Sequence, residues 1–364
     1  MTPPKSPKNI LLFKSHSMGF GDLLRSSAAW SALKEKWPDA NLHLLMLSSH
    51  AGYPSEAFIR SHFLLSSAHF VTVKHGDPSQ SKQEKLPISR ICGDVLQALE
   101  GIDIDLVIDF ETSGLRTAWI ANRIAKQKGA FAVGIAQFPT RRWLFDAAAP
   151  SSREYQRLHG LSHQMDYTER DFVVLAALGI RRDGLRITLQ PSAEAQAWQL
   201  KHPRTVATGQ KFVVLNIGCG TIDALPKRPD LNHLADCMMA LFRRQPFQLH
   251  LSGAPFEKDI NAEFTLLLQS RLRTERLQCD ITDWAGQLTL EELSGLLGQA
   301  DLVVSTDSGP FHMAVGLKVP TVCWFNFDTP PSYHRHPDVA CLIQPSERSF
   351  ADAAQSLLMR GSSE

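Results

Sequence analysis

Short uninterrupted apolar runs alternate with longer stretches whose apolar residues recur every three or four positions. The runs fall at residues 10–13, 42–47, 70–73, 106–110 and 131–135 in the first half, and at 211–217, 247–251, 302–304 and 321–325 in the second. Runs of this length without polar interruption predict strands buried on both faces, as in parallel sheets. Residues 23–36 predict a helix with Leu23, Leu24, Ala28 and Leu33 on its apolar side and Pro38 as its stop. Helices are also predicted over 115–126, 166–178, 231–243, 311–317 and 349–359, with a short helical piece around Trp198. Thr289 and Glu292 form a capping box for another helix that ends near Gln299. Strand–helix–strand order predicts parallel pairing with right-handed crossovers. Residues 50–99 carry little periodic signal, and 137–165 read as a long irregular stretch.

The pattern therefore predicts an α/β chain with two cores. It divides into a first domain over 1–187, a connection over 188–210, a second domain over 211–345, and a terminal helix and tail over 346–364. A chain of 364 residues is long enough for two such domains. With 43% hydrophobic and 21% charged residues, the composition excludes a disordered chain. No apolar run approaches the ~20 residues that span a bilayer, and the polar N-terminus predicts no secretory signal. The six cysteines form no C-x-x-C pair and sit mostly in apolar runs, which fits buried thiols in a reducing compartment. Net charge is +1, with 23 Lys+Arg against 18 Asp+Glu in residues 1–190 and 15 against 19 in residues 191–364. The basic first half suits an anionic partner.

Candidate chemistry lies where strands end. The run at 302–304 is broken by Asp307-Ser308-Gly309-Pro310, and a short helix follows with His312 near its start. A helix N-terminus offers N–H groups and a positive dipole end to an anion. A second glycine loop, Gly218-Cys219-Gly220-Thr221, ends the run at 211–217, and Lys227 and Arg228 follow it. In the first half, a loop through Gly19 and Gly21 leads to Asp22, which also suits an N-cap for a helix beginning at Leu23. Leu24 stands where a dinucleotide fingerprint needs its third glycine, and no Walker sequence is present. The stretch 137–165 carries Arg141, Arg142, Trp143, Arg153 and Arg157. Arginine clusters recognise phosphate, and an aromatic beside them suits a membrane surface.

Asp307-Ser308-Gly309-Pro310-Phe311-His312, followed by Ala314 and the Val-Pro-Thr-Val of 319–322, resembles the nucleotide-sugar signature of glycosyltransferase family nine, the ADP-heptose-using lipopolysaccharide heptosyltransferases. The Gly21-Asp22 pair before a helix and the region around Asp109, Arg116 and Thr117 are similar to the same family. The resemblance implies two Rossmann-like domains facing across a cleft, the GT-B arrangement. It implies an inverting transfer of heptose or a related sugar from an ADP-sugar to a hydroxyl of a lipopolysaccharide-core-like acceptor, without metal or other cofactor. Asp22 is then the catalytic base. Thr221, Lys227, Arg228, Glu257, Leu288, Asp307, Ser308, Gly309 and His312 bind the donor, and Gly21, Arg116, Arg141 and Arg142 serve the acceptor. The chain departs from the family at Lys227-Arg228-Pro229, where Lys-x-Trp-Pro is usual, so either cation is a candidate for the diphosphate. It departs again at Asn326-Phe327-Asp328, where a Gly and a Pro-Thr-Asp-Pro-like turn are usual. The implied partners are a nucleotide-sugar donor and an anionic glycolipid acceptor, not nucleic acid. The implied location is cytoplasmic, with peripheral contact on the inner face of the inner membrane. Another nucleotide-sugar enzyme of the same architecture, an epimerase included, and a non-catalytic binding protein remain the alternative readings.

Overall fold

A computed structural model of the chain describes residues 2–15, 20–49, 52–75, 84–111, 114–162, 167–181, 186–219, 222–326 and 336–360. It divides into two compact units, Met1–Arg186 and Ile187–Glu364.

The first unit runs β1 (Asn9–Ser15), α1 (Phe20–Lys36), β2 (Asn41–Ser48), α2 (Pro54–Arg60) and β3 (Ser67–Thr72). A small antiparallel pair follows, β4 (Lys74–His75) with β5 (Glu84–Lys85). Then come α3 (Ile88–Ala98), β6 (Leu106–Asp109), α4 (Leu115–Lys128), β7 (Phe131–Ile135), α5 (Pro139–Arg142), β8 (Ala147–Ala149), α6 (Ser152–Leu158) and α7 (Tyr167–Ala176). Its six-stranded sheet has the order β3-β2-β1-β6-β7-β8, with every pairing parallel. Ile10, Leu11, Leu12 and Phe13 are wholly buried, as a strand covered by helices on both faces requires. The stretch 137–165, expected to be irregular, instead contains α5, β8 and α6. The three alanines of β8 are too short and too weakly apolar to stand out from the sequence.

The second unit repeats the plan: α8 (Ala193–Lys201), β9 (Lys211–Asn216), α9 (Leu231–Arg244), β10 (Phe247–Ser252), α10 (Lys258–Thr274), β11 (Ile281–Asp283), α11 (Leu290–Gly298), β12 (Leu302–Thr306), α12 (Gly309–Gly316), β13 (Thr321–Phe325), β14 (Val339–Ile343) and α13 (Glu347–Arg360). The sheet order is β11-β10-β9-β12-β13-β14, again all parallel. Residues 188–210 pack into this unit. Gln199 Nε2 donates to the Gly295 carbonyl at 2.9 Å, and the Leu189 amide donates to the Gly316 carbonyl at 3.1 Å. The terminal helix α13 places Phe350, Ala354, Leu357 and Leu358 in the same core as Leu215, Leu249 and Trp324.

Each unit thus has strand order 3-2-1-4-5-6 and reverses direction once, between β1 and β6 in the first and between β9 and β12 in the second. Open parallel sheets bind ligands beyond the carboxyl ends of their strands at that reversal. All six cysteines are thiols. Burial raises the pKa of each, to about 12 for Cys237, Cys279 and Cys341 and well above the usual value for Cys323.

Gly134 in β7 lies under the ring of Phe145, and a Cβ there would fall inside that ring. Gly134→Ala should destabilise the protein by about 1–3 kcal/mol, the usual cost of overpacking, read as a lowered urea midpoint. An unchanged midpoint would show that the ring moves aside freely.

Candidate active site

In the second unit the reversal is built by polar residues that end apolar strands. Asn216 closes β9, and its Nδ2 donates to the Gly218 carbonyl at 2.9 Å and to Ser308 Oγ at 3.2 Å. Its Oδ1 accepts from Ser252 Oγ at 3.2 Å. Thr306 closes β12 and donates from Oγ1 to the same Gly218 carbonyl at 2.6 Å. Asn216, Ser252 and Thr306 are nearly inaccessible. They tie the ends of β9, β10 and β12 into one frame.

Glu257 sets the shape of the glycine loop. It is buried in a 3₁₀ turn, Pro255–Glu257, just before α10. Its Oε1 accepts from the Cys219 amide at 3.0 Å and its Oε2 from the Ala254 amide at 2.8 Å. Arg228 Nη2 stands 3.5 Å from Oε1. A Cβ at Gly218 would occupy the space of this carboxylate, so only glycine fits there. Glu257 lies one residue before α10 and turns back on its own loop. Gly286 supports the same turn from the other side. Its φ is +66°, and an added Cβ would meet Pro255 Cα at 2.7 Å.

Asp307 and Ser308 follow β12. Lys227, at the end of a 3₁₀ turn over Ile222–Lys227, places Nζ 2.7 Å from Asp307 Oδ2 and 3.1 Å from the Asp307 carbonyl. His312 Nε2 lies 3.9 Å from Asp307 Oδ1. Ser308 is the N-cap of α12 but does not cap it with its side chain, donating instead to the Thr306 carbonyl at 3.2 Å. Pro310, with no N–H to satisfy, starts the helix, which begins at Gly309 rather than at Phe311. Lys227, Arg228, Glu257, Asp307, Ser308, Gly309 and His312 are therefore joined in one neighbourhood at the strand reversal. Leu288 is half-buried just before the Thr289 cap of α11. Thr221 lies outside the described residues, as does Gly19 in the first unit.

In the first unit Gly21 and Asp22 lie inside the first turn of α1, which starts at Phe20. Asp22 is therefore a first-turn residue and not the N-cap of a helix beginning at Leu23. Its Oδ1 is 3.4 Å from Arg25 Nη1, and about a third of its side chain (35%) is exposed. A carboxylate in a first turn is favoured by the helix dipole.

Two arginines expected at an acceptor site are taken up by the protein's own backbone. Arg141 is wholly buried and donates to the carbonyls of Ile135 (3.0 Å), Glu111 (2.6 Å) and Gly114, and to Asp109 Oδ2 (3.2 Å). It cannot reach a ligand and instead locks the end of β6 to the loop that follows. Arg116 donates to the Leu86 carbonyl. Arg142, next to Arg141, is exposed, as is Trp143 with 83% of its surface open. The Arg141 cluster extends to β1 through Glu111, whose Oε1 accepts from the Ser15 amide at 2.8 Å. Lys14, also on β1, pairs with buried Asp171 of α7 at 3.2 Å. Burial raises the Asp171 pKa, against the pull of Lys14.

Sequence reasoning missed Asn216, Ser252 and Thr306. The available signal was a polar residue closing each of three apolar runs that end at one edge of the sheet. Among the described residues, no group of three or more His, Cys, Asp or Glu side chains could hold a metal ion. Among them, too, no helix is long and apolar enough to cross a membrane.

The whole chain is similar in fold to solved glycosyltransferases of GT-B architecture. A glycosyl transferase family 9 structure from Veillonella parvula matches with a TM-score of 0.70 at 16% identity, covering 98% of each chain. The ADP-heptose lipopolysaccharide heptosyltransferase II of E. coli matches at 0.65 and 14%, covering 97% of this chain and 99% of that one. The E. coli heptosyltransferase WaaC, solved with ADP-2-deoxy-2-fluoro heptose, matches at 0.62 and 16%, with the same coverage. A comparison with curated proteins gave no match. Two Rossmann-like units, each a parallel sheet with one strand-order reversal, make up the GT-B architecture. The model of glycosyltransferase family 9 (heptosyltransferase) matches residues 93–337, more than half the chain, and the protein belongs to that family.

Burial pushes the Asp109 carboxyl up from its ordinary 3.8 to about 7, with Arg141 and the Glu111 amide pulling the other way. The folded protein then holds this proton more tightly than the unfolded chain does. The group's stabilising contribution is full below pH 3.8 and is lost as pH rises through about 7. Asp109→Asn cannot titrate. The stability of the parent relative to this variant should therefore fall across that window in pH-dependent urea unfolding, and a constant difference would refute the assignment.

Proposed function

We propose that the enzyme is an inverting glycosyltransferase that moves a heptose or closely related sugar from an ADP-sugar to a hydroxyl of an anionic, lipopolysaccharide-core-like glycolipid. The observation that carries this reading is the pair of cations, the partly exposed Lys227 and the more enclosed Arg228, held against Asp307 and Glu257 at the carboxyl ends of β9, β10 and β12. Family membership and the ADP-sugar complex of WaaC support the choice of donor.

In this reading the second unit holds the donor. The diphosphate takes the start of α12, where the dipole and the Lys227 and Arg228 charges favour an anion. Lys227 is already oriented by Asp307, so little ordering is needed when the anion arrives. Asp307 and His312 face the sugar or its phosphate, and Leu288 borders the nucleoside. Asp22 of the first unit accepts the proton of the acceptor hydroxyl as that oxygen bonds to the anomeric carbon from the face opposite the diphosphate. The bond from the anomeric carbon to the diphosphate oxygen breaks, ADP leaves, and configuration inverts. Fixed amides and cations stabilise the leaving charge, so no metal is assigned to the step. Exposed Arg142 and Trp143 are assigned to the anionic acceptor and the inner face of the membrane that carries it.

Asp22→Asn should leave ADP binding within about twofold of the parent while turnover falls by about 10²–10⁴, the usual worth of a positioned base. Turnover unchanged at saturating donor would remove Asp22 from the chemistry. Lys227→Ala and Arg228→Ala, measured separately by calorimetry, should each weaken ADP by about tenfold or more, the scale of a charge-assisted hydrogen bond. If neither does, or if UDP binds as well as ADP, the donor assignment is wrong.

A further inference from the structure

The two cations sit on a short segment that has to be held in place, and one side chain does much of the holding. Asn326 directly follows β13. Its Nδ2 donates to the carbonyl of Pro226 at 2.9 Å and to that of Arg228 at 2.5 Å, the carbonyls on either side of Lys227. Its Oδ1 accepts from Trp324 Nε1 at 2.9 Å. An indole nitrogen only donates, so this bond fixes which end of the amide is oxygen and turns the NH₂ group towards the two carbonyls. The indole is itself enclosed. Trp324 is 3% exposed and packs edge-on to His233 with ring centroids 5.4 Å apart. The backbone at 326 is held as well, since Gln344 Nε2 donates to the Asn326 carbonyl at 3.1 Å.

An amide is the one short side chain that can do this. It presents two donors to two carbonyls and an acceptor to the indole. Aspartate has the same shape but no N–H, and would set a negative charge against two carbonyl oxygens. Glycine, usual here in the family the sequence resembles, would leave both carbonyls and the indole without these partners. The same carbonyls flank the residue whose ammonium reaches Asp307, so a shift at residues 226–228 moves Lys227 and Arg228 together.

We infer that Asn326 is a positioning residue for donor binding: it acts through the Pro226–Arg228 backbone to hold Lys227 and Arg228 at the diphosphate. This rests on the assignment of those cations to the diphosphate given above.

The test is a pair of double-mutant cycles on the full-length protein, with ADP as the probe and calorimetry as the readout. Asn326→Ala alone should weaken ADP by about fivefold to tenfold, as expected for two hydrogen bonds, and Asn326→Asp should weaken it at least as much. The apparent KM for the donor should rise more than kcat falls. In the Lys227→Ala or the Arg228→Ala background the same Asn326→Ala change should cost less than it does in the parent, because one of its two objects is gone, and less than about twofold when both cations are replaced. Melting without nucleotide reports whether each variant is folded, and Asn326→Asp, which keeps the side-chain volume, serves if the alanine variant is not. ADP binding unchanged by both Asn326 variants, while Lys227→Ala or Arg228→Ala weakens it, overturns this inference alone. Full additivity in both cycles also overturns it, since Asn326 would then act on something other than the cations. If neither cation variant weakens ADP, the donor assignment falls and takes this inference with it.

Discussion

The second unit is organised around a carboxylate that has no room to be anywhere else. Glu257 is buried, yet both its oxygens are engaged, one by the Cys219 amide and one by the Ala254 amide. A polar group removed from water is tolerated when partners of this kind replace the lost solvent. Its presence dictates glycine at 218 and gives Arg228 an acidic neighbour at 3.5 Å. The Gly218 carbonyl then meets both Asn216 and Thr306. One acidic side chain thereby couples the ends of three strands to the segment bearing the cations.

The first unit answers the same topological problem in the opposite way. At its reversal the buried charge that organises the loops is a cation, Arg141, wrapped in three carbonyls and one carboxylate. It is wholly enclosed, whereas Lys227 keeps 40% of its side chain open to solvent. A buried guanidinium committed to the backbone shapes a wall; a half-open ammonium leaning on one carboxylate can exchange partners. Two sheets of the same strand order thus present different chemistry at equivalent places. This contrast supports a division of labour in which an anionic donor belongs to the second unit.

Much of this was legible in the sequence. Strands buried on both faces announce themselves as unbroken apolar runs, so the parallel sheets and the two-unit plan could be read from residues 10–13, 42–47, 211–217 and 321–325. The Asp307-to-His312 motif pointed to the strand end at which the order of the sheet reverses. The failures have physical causes. α1 begins at Phe20 because nothing in Phe20-Gly21 forbids helix, and an Asp before an apolar pair serves a first turn as well as a cap. Arg141 and Arg142 are adjacent and chemically identical, and only packing decides that one is sealed in and the other exposed. The segment 188–210, with Pro191 and Pro203 in it, reads as a connection, yet its Trp198 is buried in the second unit. Asn326 looked like a departure from the family pattern; its worth lies in carbonyls a hundred residues earlier in the chain.

The cysteines carry a practical consequence. Alkylating reagents attack the thiolate, and burial keeps all six sulfurs protonated well into the alkaline range. Cys237, Cys323 and Cys92 lie inside the cores, and Cys341 borders Cys323 across neighbouring strands. The native enzyme therefore carries its own stopwatch for breathing motions. The rate at which iodoacetamide marks each sulfur reports how often that layer opens, with Cys92 timing the first unit and Cys237 the second.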